Sequence, residues 1–309
     1  MLTGILSKIV SAFCFTLMAA LIRWVGAEVP TGQVVFARSA FALLPLLLWL
    51  GVQGQLGRIR TTRLGGHFLR SGIGVAAMFC MFSALARLSL PDATMLNYAS
   101  PLMTVLIAAA VLGEPLRLPR VGAVLLGLAG VAVMLWPHLA DGSLLRTFTT
   151  EGGEAARTSE GVLFALGGAF LTACAMTQIR RLVQTETTAS IVFWFTVISS
   201  LFGLVTMPGW VWPGPAVATA LAGIGILGGL GQIFLTAGYR YAEASVIAPF
   251  EYTTLVWALL IGWLAFGDLP DWFALAGGIV VVLSGILVIR DERRRGIERA
   301  RVREADREV

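Results

Sequence analysis

Two ionisable side chains stand inside apolar runs, and both are of types that bind solutes. Arg38 lies in V-V-F-A-R-S-A-F-A and Glu251 in A-P-F-E-Y-T-T. An arginine at mid-span costs about 2.5–3.5 kcal/mol to insert into a bilayer, so it must face protein or water. Arg38 can anchor a carboxylate or phosphate of a solute. Its structural alternative is a cation bonded to backbone carbonyls or to a neighbouring acid. Glu251 can carry a proton or hold a cationic group, which makes it the coupling candidate. Pro249 just before it lacks a backbone donor, so a kink is expected there. A fixed Arg38–Glu251 ion pair is the bland alternative, and depth counts against it. Counted at about 1.5 Å per residue, the two lie roughly 10 Å in from opposite faces. In a core about 30 Å thick they then differ by roughly 10 Å in height.

Seven further residues complete the expected substrate-binding set: Asn97, Tyr98, Gln178, Trp194, Gln232, Tyr252 and Trp257. A cavity for an organic solute needs mostly apolar walls with a few polar groups, and these supply them. Tyr98, Trp194, Tyr252 and Trp257 are the stacking candidates. Trp24, Trp210, Trp212 and Trp272 fall near span ends and read as interfacial anchors.

Such residues need membrane helices to hold them. Of 309 residues, 57% are hydrophobic and 13% charged, too few charges to cover a soluble surface. Mean hydropathy is +0.82. The apolar runs are about 17–25 residues long, which matches a bilayer core crossed as helix. The pattern predicts ten spans, near 7–25, 32–51, 67–87, 92–112, 120–137, 161–180, 190–208, 216–239, 244–266 and 271–289. Lys8 and Arg23 flank the first span, and both can snorkel. A cleaved signal peptide is the competing reading of this segment. Retention is expected, because Arg23 follows directly and removal would leave an unbalanced array.

Ten spans put both termini and four loops on one side. With its helix ends, that side carries Lys8, Arg58, Arg60, Arg63, Arg70, Arg117, Arg120, Arg180, Arg181, Arg240 and the tail from Arg290. The other side holds Arg23, Arg87, Arg146 and Arg157. Positive residues stay cytoplasmic, so both termini are expected inside a bacterial-type inner membrane. The net charge of +5 thus reflects topology, and no motif for nucleic acid accompanies it.

The chain also repeats itself. S-A-L-A-R-L-S-L-P-D-A-T at 83–94 matches T-A-G-Y-R-Y-A-E-A-S at 236–245, pairing Arg87 with Arg240 and Asp92-Ala93-Thr94 with Glu243-Ala244-Ser245. Each copy then runs through an apolar stretch to an acidic step, Gly113-Glu114 or Gly267-Asp268. Five spans per half is an odd number, so the second copy must insert upside down relative to the first. The expected fold class is an all-α membrane protein of ten helices in two inverted five-helix repeats. Its parts are a first repeat at 1–137, an external polar linker at 138–160, a second repeat at 161–289 and a charged cytoplasmic tail at 290–309. The 35 glycines read chiefly as close helix packing.

Y-A-S-P-L-M-T-V-L-I-A-A-A-V-L-G-E at 98–114 resembles the fourth-helix signature of the drug/metabolite transporter superfamily, EamA type. A-P-F-E-Y-T-T-L-V-W-A-L-L-I-G-W-L-A-F-G-D at 248–268 is similar to its second-copy version, and F-A-R-S-A-F-A-L-L-P at 36–45 to its second helix. The resemblance spans nearly the whole chain. It implies two inverted five-helix halves around a central cavity. It leaves the solute open among amino acids, nucleotide-like compounds, vitamins and polyamines, moved inward or outward. The wording resembles most the branch with S-adenosylmethionine and riboflavin uptake carriers. In one departure, Tyr252 stands where many second copies carry a proline like Pro101, which moves the expected kink to Pro249.

The expected function is secondary transport of a small polar metabolite, by a monomer or homodimer in the lipid bilayer, without cofactor or metal. Uptake of a vitamin- or nucleoside-like compound leads, and export of an amino acid, drug or metabolite is the alternative. An intramembrane enzyme is the remote one. His67 and His138 lie far apart, and neither H-E-x-x-H nor G-x-S-x-G occurs. A channel would show rings of like charge or a carbonyl filter, which are not visible. Cys14, Cys80 and Cys174 lie in apolar runs and read as small buried hydrophobes. No P-loop is present for ATP hydrolysis.

Overall fold

A computed structural model describes residues 2–26, 28–112, 118–140, 154–241 and 248–305. The described residues are helical, without strands. Eleven α-helices follow one another: α1 (Leu2–Val25), α2 (Thr31–Val52), α3 (Leu64–Leu85), α4 (Leu90–Asn97), α5 (Ala99–Leu112), α6 (Leu118–Ala140), α7 (Glu154–Leu182), α8 (Thr188–Val205), α9 (Pro215–Tyr241), α10 (Thr253–Ile261) and α11 (Trp272–Ala305). Seven helical segments are long and apolar enough to cross a membrane, the α4–α5 pair counting as one. Three shorter apolar stretches join them, Val121–Pro137, Phe250–Phe266 and Trp272–Leu287. Large side chains such as Leu44, Leu48, Phe170, Val256 and Leu264 point outward, while Ser39, His67, Ser71 and Ser199 are buried. Apolar outside and polar inside is what lipid as solvent selects.

Two spans are broken, each for a local reason. Ser89 caps α4 by accepting from the Asp92 N–H. The helix then pauses at Tyr98, because Pro101 has no N–H to offer the Asn97 carbonyl. The counterpart near Pro249 is a 3-10 turn, Ala248–Tyr252, ahead of α10. There Thr253 Oγ1 donates to the Phe250 carbonyl and Thr254 Oγ1 to that of Glu251, each at 2.6 Å. After α10 the backbone widens into a π turn, Gly262–Phe266, and stops at Gly267 with φ +70°. Only glycine takes that conformation without strain.

α1 packs along α9, and α3 along α7. α2 lies between α9 and α8, and α6 runs beside α11. Glycines set the closest approach. A Cβ on Gly277 would meet the Gly130 carbonyl at 2.4 Å, and one on Gly130 would meet the Gly277 carbonyl at 2.8 Å. Ser284 Oγ adds a bond to the Ala123 carbonyl across the same seam.

Lys8 does not snorkel as the sequence led one to expect. Its residue is 2% exposed, and its ammonium turns inward to the Glu251 carboxylate. The ion-paired acid keeps it there, which an isolated lysine would not tolerate. Glu114, Arg117, Arg146, Glu243–Ser245 and most of the linker lie outside the described residues, as do the side chains of Arg120, His138, Arg180 and Arg240.

Candidate functional site

Among the described residues a small, partly open cavity lies between α2, α8 and α9. Its lining is apolar except for Arg38, Thr196 and Gln232. Arg38 comes from the middle of α2, one turn before Ala42 and two before Leu46, so all three share a face. Gly228 of α9 lies alongside it: a Cβ there would be in ordinary contact with Arg38 Nε, at 3.4 Å. Gln232 is one turn further along α9, on the same face.

Phe195 of α8 forms the opposite wall and carries two cations. The Arg38 guanidinium carbon lies 5.7 Å from its ring centroid and that of Arg70 at 3.4 Å. Both are within cation–π range. Gly74 of α3 opens the space, since a Cβ there would press on Phe195 at 2.8 Å and on Arg70 Nη1 at 3.0 Å. Nε and Nη1 of Arg70 are buried with no hydrogen-bond partner. Among the described residues no carboxylate pairs with Arg38 or Arg70. Each guanidinium in a span costs about 2.5–3.5 kcal/mol to insert, and a ring face returns only about 0.5–2 kcal/mol. The arrangement therefore leaves positive charge uncompensated beside the cavity.

The other expected site residues separate into different places. Tyr98 and Tyr252 meet edge to face, ring centroids 5.3 Å apart, where α4 joins α5 and the 3-10 turn joins α10. Gly285 of α11 makes room for the Tyr252 hydroxyl. Glu251 is beside this pair but reaches Lys8, not Arg38. Trp257 meets Phe13 of α1 edge to face at 5.1 Å, with Nε1 buried and unpartnered. Asn97 ends α4 next to Tyr98. Trp194 is not a stacking wall of the cavity: its Nε1 donates to the Ile59 carbonyl at 2.9 Å, and its ring centroid lies 6.4 Å from that of His67. Gln178 lies one turn before the end of α7 and does not line the cavity. The structure thus joins Arg38 with Gln232, and Tyr98 with Tyr252 and Glu251, but does not join all nine in one pocket.

The model of the EamA-like transporter family matches the chain twice, over residues 2–136 and 159–290. The chain belongs to that family. This EamA-like chain is 28% identical to the pseudopaline exporter CntI of Pseudomonas aeruginosa, over 94% of this chain and 97% of that one. It is 25% identical to a riboflavin transporter of Vibrio cholerae, over 95% of each chain. It is 23% identical to an S-adenosylmethionine uptake transporter of Rickettsia prowazekii, over 95% of this chain and 94% of the relative. A crystal structure 20% identical in sequence superposes with a TM-score of 0.63, covering 92% of this chain and 96% of that one. It shares the fold. The chain is therefore a multi-pass membrane transporter, and not an enzyme.

Arg70, which packs on the cavity-lining Phe195 of this EamA-like transporter, is the residue that sequence reasoning placed elsewhere. It follows Arg58, Arg60 and Arg63 and reads as one more cytoplasmic charge. The helix in fact begins at Leu64, so Arg70 is nearly two turns inside α3. Its spacing from His67 and Gly74 puts all three on one face, the only signal of its inward direction.

Proposed function

We propose that this transporter is a secondary carrier that moves a small polar organic metabolite across a bacterial-type inner membrane by alternating access. The observation that carries the reading is the apolar cavity between α2, α8 and α9, supplied with Arg38 and Gln232 inside a transporter of this family. A mostly apolar lining with a few polar groups suits the binding site of a carrier, which widens as it takes up its cargo.

The carrier is built of ten spans in two inverted repeats. Seven long and three shorter apolar segments support that number. Two matches to one family model support the two copies, 1–137 and 161–289. Packing supports the exchange of halves. The first span of one half, α1, lies on the third of the other, α9, while α7 lies correspondingly on α3. Second meets second in α2 and α8, and fifth meets fifth in α6 and α11. Both termini are cytoplasmic.

Glu251 is the coupling group, with Lys8 as its charge partner. Uptake of a vitamin- or nucleoside-like compound is supported by the riboflavin and S-adenosylmethionine transporters among the relatives. Export is the second reading, favoured by the likeness to CntI. Growth tests separate them. Rescue of a riboflavin auxotroph, or of cells that need external S-adenosylmethionine, is expected for uptake. Failure to rescue, with faster loss of a preloaded solute, would make export the function. Saturable counterflow in proteoliposomes is expected of either, and nonsaturating flux would remove the carrier reading. Uptake driven by a pH gradient is expected to lose its pH dependence in Glu251→Gln; unchanged dependence would exclude Glu251 from coupling.

A further inference from the structure

We infer that Arg38 and Arg70 form an anion subsite that takes a carboxylate or phosphate group of the transported solute. This rests on the carrier reading above. Arg38 lines the cavity and would touch the anion, and Gln232 offers an amide donor in the same lining. Arg70, outside the lining, acts as a positioning residue, its guanidinium against the Phe195 ring.

Three observations converge. First, three other cations in or beside the spans have acidic partners: Lys8 with Glu251, Arg23 with Asp268, and Arg87 with Glu160. Arg157 and Arg181 donate to the carbonyls of Ala86 and Val111. Arg38 and Arg70 have neither acid nor carbonyl among the described residues. Second, both guanidinium groups lie against the same Phe195 ring, at 5.7 Å and 3.4 Å from its centroid. Like charges held together without a counterion need an anion to offset them. Third, Gly74 keeps the room that Arg70 and Phe195 occupy, since a Cβ there would meet them at 3.0 Å and 2.8 Å. A guanidinium presents paired N–H donors that match a carboxylate or phosphate.

The test uses the full chain in phosphatidylcholine nanodiscs, with Tm followed against succinate, glycerol phosphate, 1,4-butanediol and putrescine. Succinate or glycerol phosphate is expected to raise Tm saturably, and which of them does so names the group. The neutral diol and the diamine are expected to have no effect. Arg38→Gln should weaken the anion's apparent affinity about tenfold or more, the scale of a lost hydrogen bond to a charged group, and Arg70→Gln should weaken it severalfold through the lost charge. Arg70→Lys should recover most of that loss, since Arg70 contributes charge rather than contact. Equal stabilisation by the diol, or full anion response in both glutamine variants, would overturn the subsite. Should the variants not fold, phenylglyoxal labelling of the unmodified chain decides. Succinate or glycerol phosphate must protect Arg38, and no protection overturns the proposal. A Tm rise with phosphatidylglycerol discs, and none with either soluble anion, assigns the site to lipid and overturns it as well. Counterflow separates this inference from its parent. Anion protection without counterflow removes the carrier, while counterflow with no anion effect removes the subsite alone.

Discussion

Lys8 meets Glu251 where α1 packs on the 3-10 turn Ala248–Tyr252, and the two ends of the pair differ in exposure. The lysine side chain is 3% exposed and the glutamate 52%. Breaking a fully buried pair costs about 3–5 kcal/mol, but water at the glutamate screens this one. Glu251→Gln is therefore expected to destabilise by only about 1–2 kcal/mol. Lys8→Met with Glu251→Gln should cost less than the two singles added, because the double variant removes the buried cation together with its partner. Thermal melting of the four proteins measures this, and strict additivity would show that the pair contributes nothing. The residue scale also shows what sequence conceals. Arg38 and Glu251 were legible because a charge within an apolar run is conspicuous. The Lys8–Glu251 pairing was not, since it joins residues 243 positions apart and Lys8 reads as a helix-end charge. Arg70 was hidden for the same reason, among loop arginines that set topology. Trp194 misled because its indole satisfies a loop carbonyl, a partner that helix periodicity does not reveal.

Between elements, two devices decide which helices stay together. One is the glycine seam of α6 and α11. Gly277→Ala must push apart two backbones, and overpacking of this kind costs about 1–3 kcal/mol. Gly72→Ala is the control, because nothing lies within 4 Å of the added methyl, and helix propensity predicts a gain of up to about 1 kcal/mol. Opposite shifts in Tm are expected, and equal shifts would mean that α6 and α11 can separate freely. The second device is Glu186, between α7 and α8. Its buried carboxylate accepts from Thr61 Oγ1 at 2.8 Å, from Ser190 Oγ at 3.1 Å and from the Thr62 N–H at 3.4 Å, with His67 Nε2 at 3.7 Å. Burial pushes this carboxyl up, but the three hydrogen bonds and the His67 charge outweigh it, leaving it below the usual carboxylate value. The stabilisation is present above the ordinary carboxylate range and lost as pH falls through the lowered value. Glu186→Ala should cost about 1–3 kcal/mol at neutral pH by stranding the buried Ser190 hydroxyl. It should also flatten the acid limb of the stability profile, and an unchanged limb would exclude Glu186 from the latch. Span lengths were readable from apolar runs, whereas these seams depend on which helices meet.

For the whole molecule, the deciding matter is which ends of the helices share a compartment. Two clasps tie α2 to α8 at opposite ends. At one end Thr187 Oγ1 donates to the Arg58 carbonyl, and Trp194 Nε1 to that of Ile59. At the other, the Gln33 amide donates to the Val211 carbonyl and its oxygen accepts from the Val211 N–H. Each clasp needs its two loops on the same face. The proposed ten spans meet this condition, placing the 53–63 and 183–187 loops inside and the 26–30 and 206–214 loops outside. Removing one span between the clasps would put a pair of loops on opposite faces and forbid its hydrogen bonds. Gly57 and Trp212 are exposed representatives of the two faces, Trp212 wholly so. With Cys14, Cys80 and Cys174 replaced by alanine, Gly57→Cys is expected to react with a membrane-impermeant maleimide only in inverted vesicles. Trp212→Cys should react only in intact cells stripped of their outer membrane. Labelling of both from one side would break the inverted arrangement, and with it the reason for seating a solute between α2, α8 and α9.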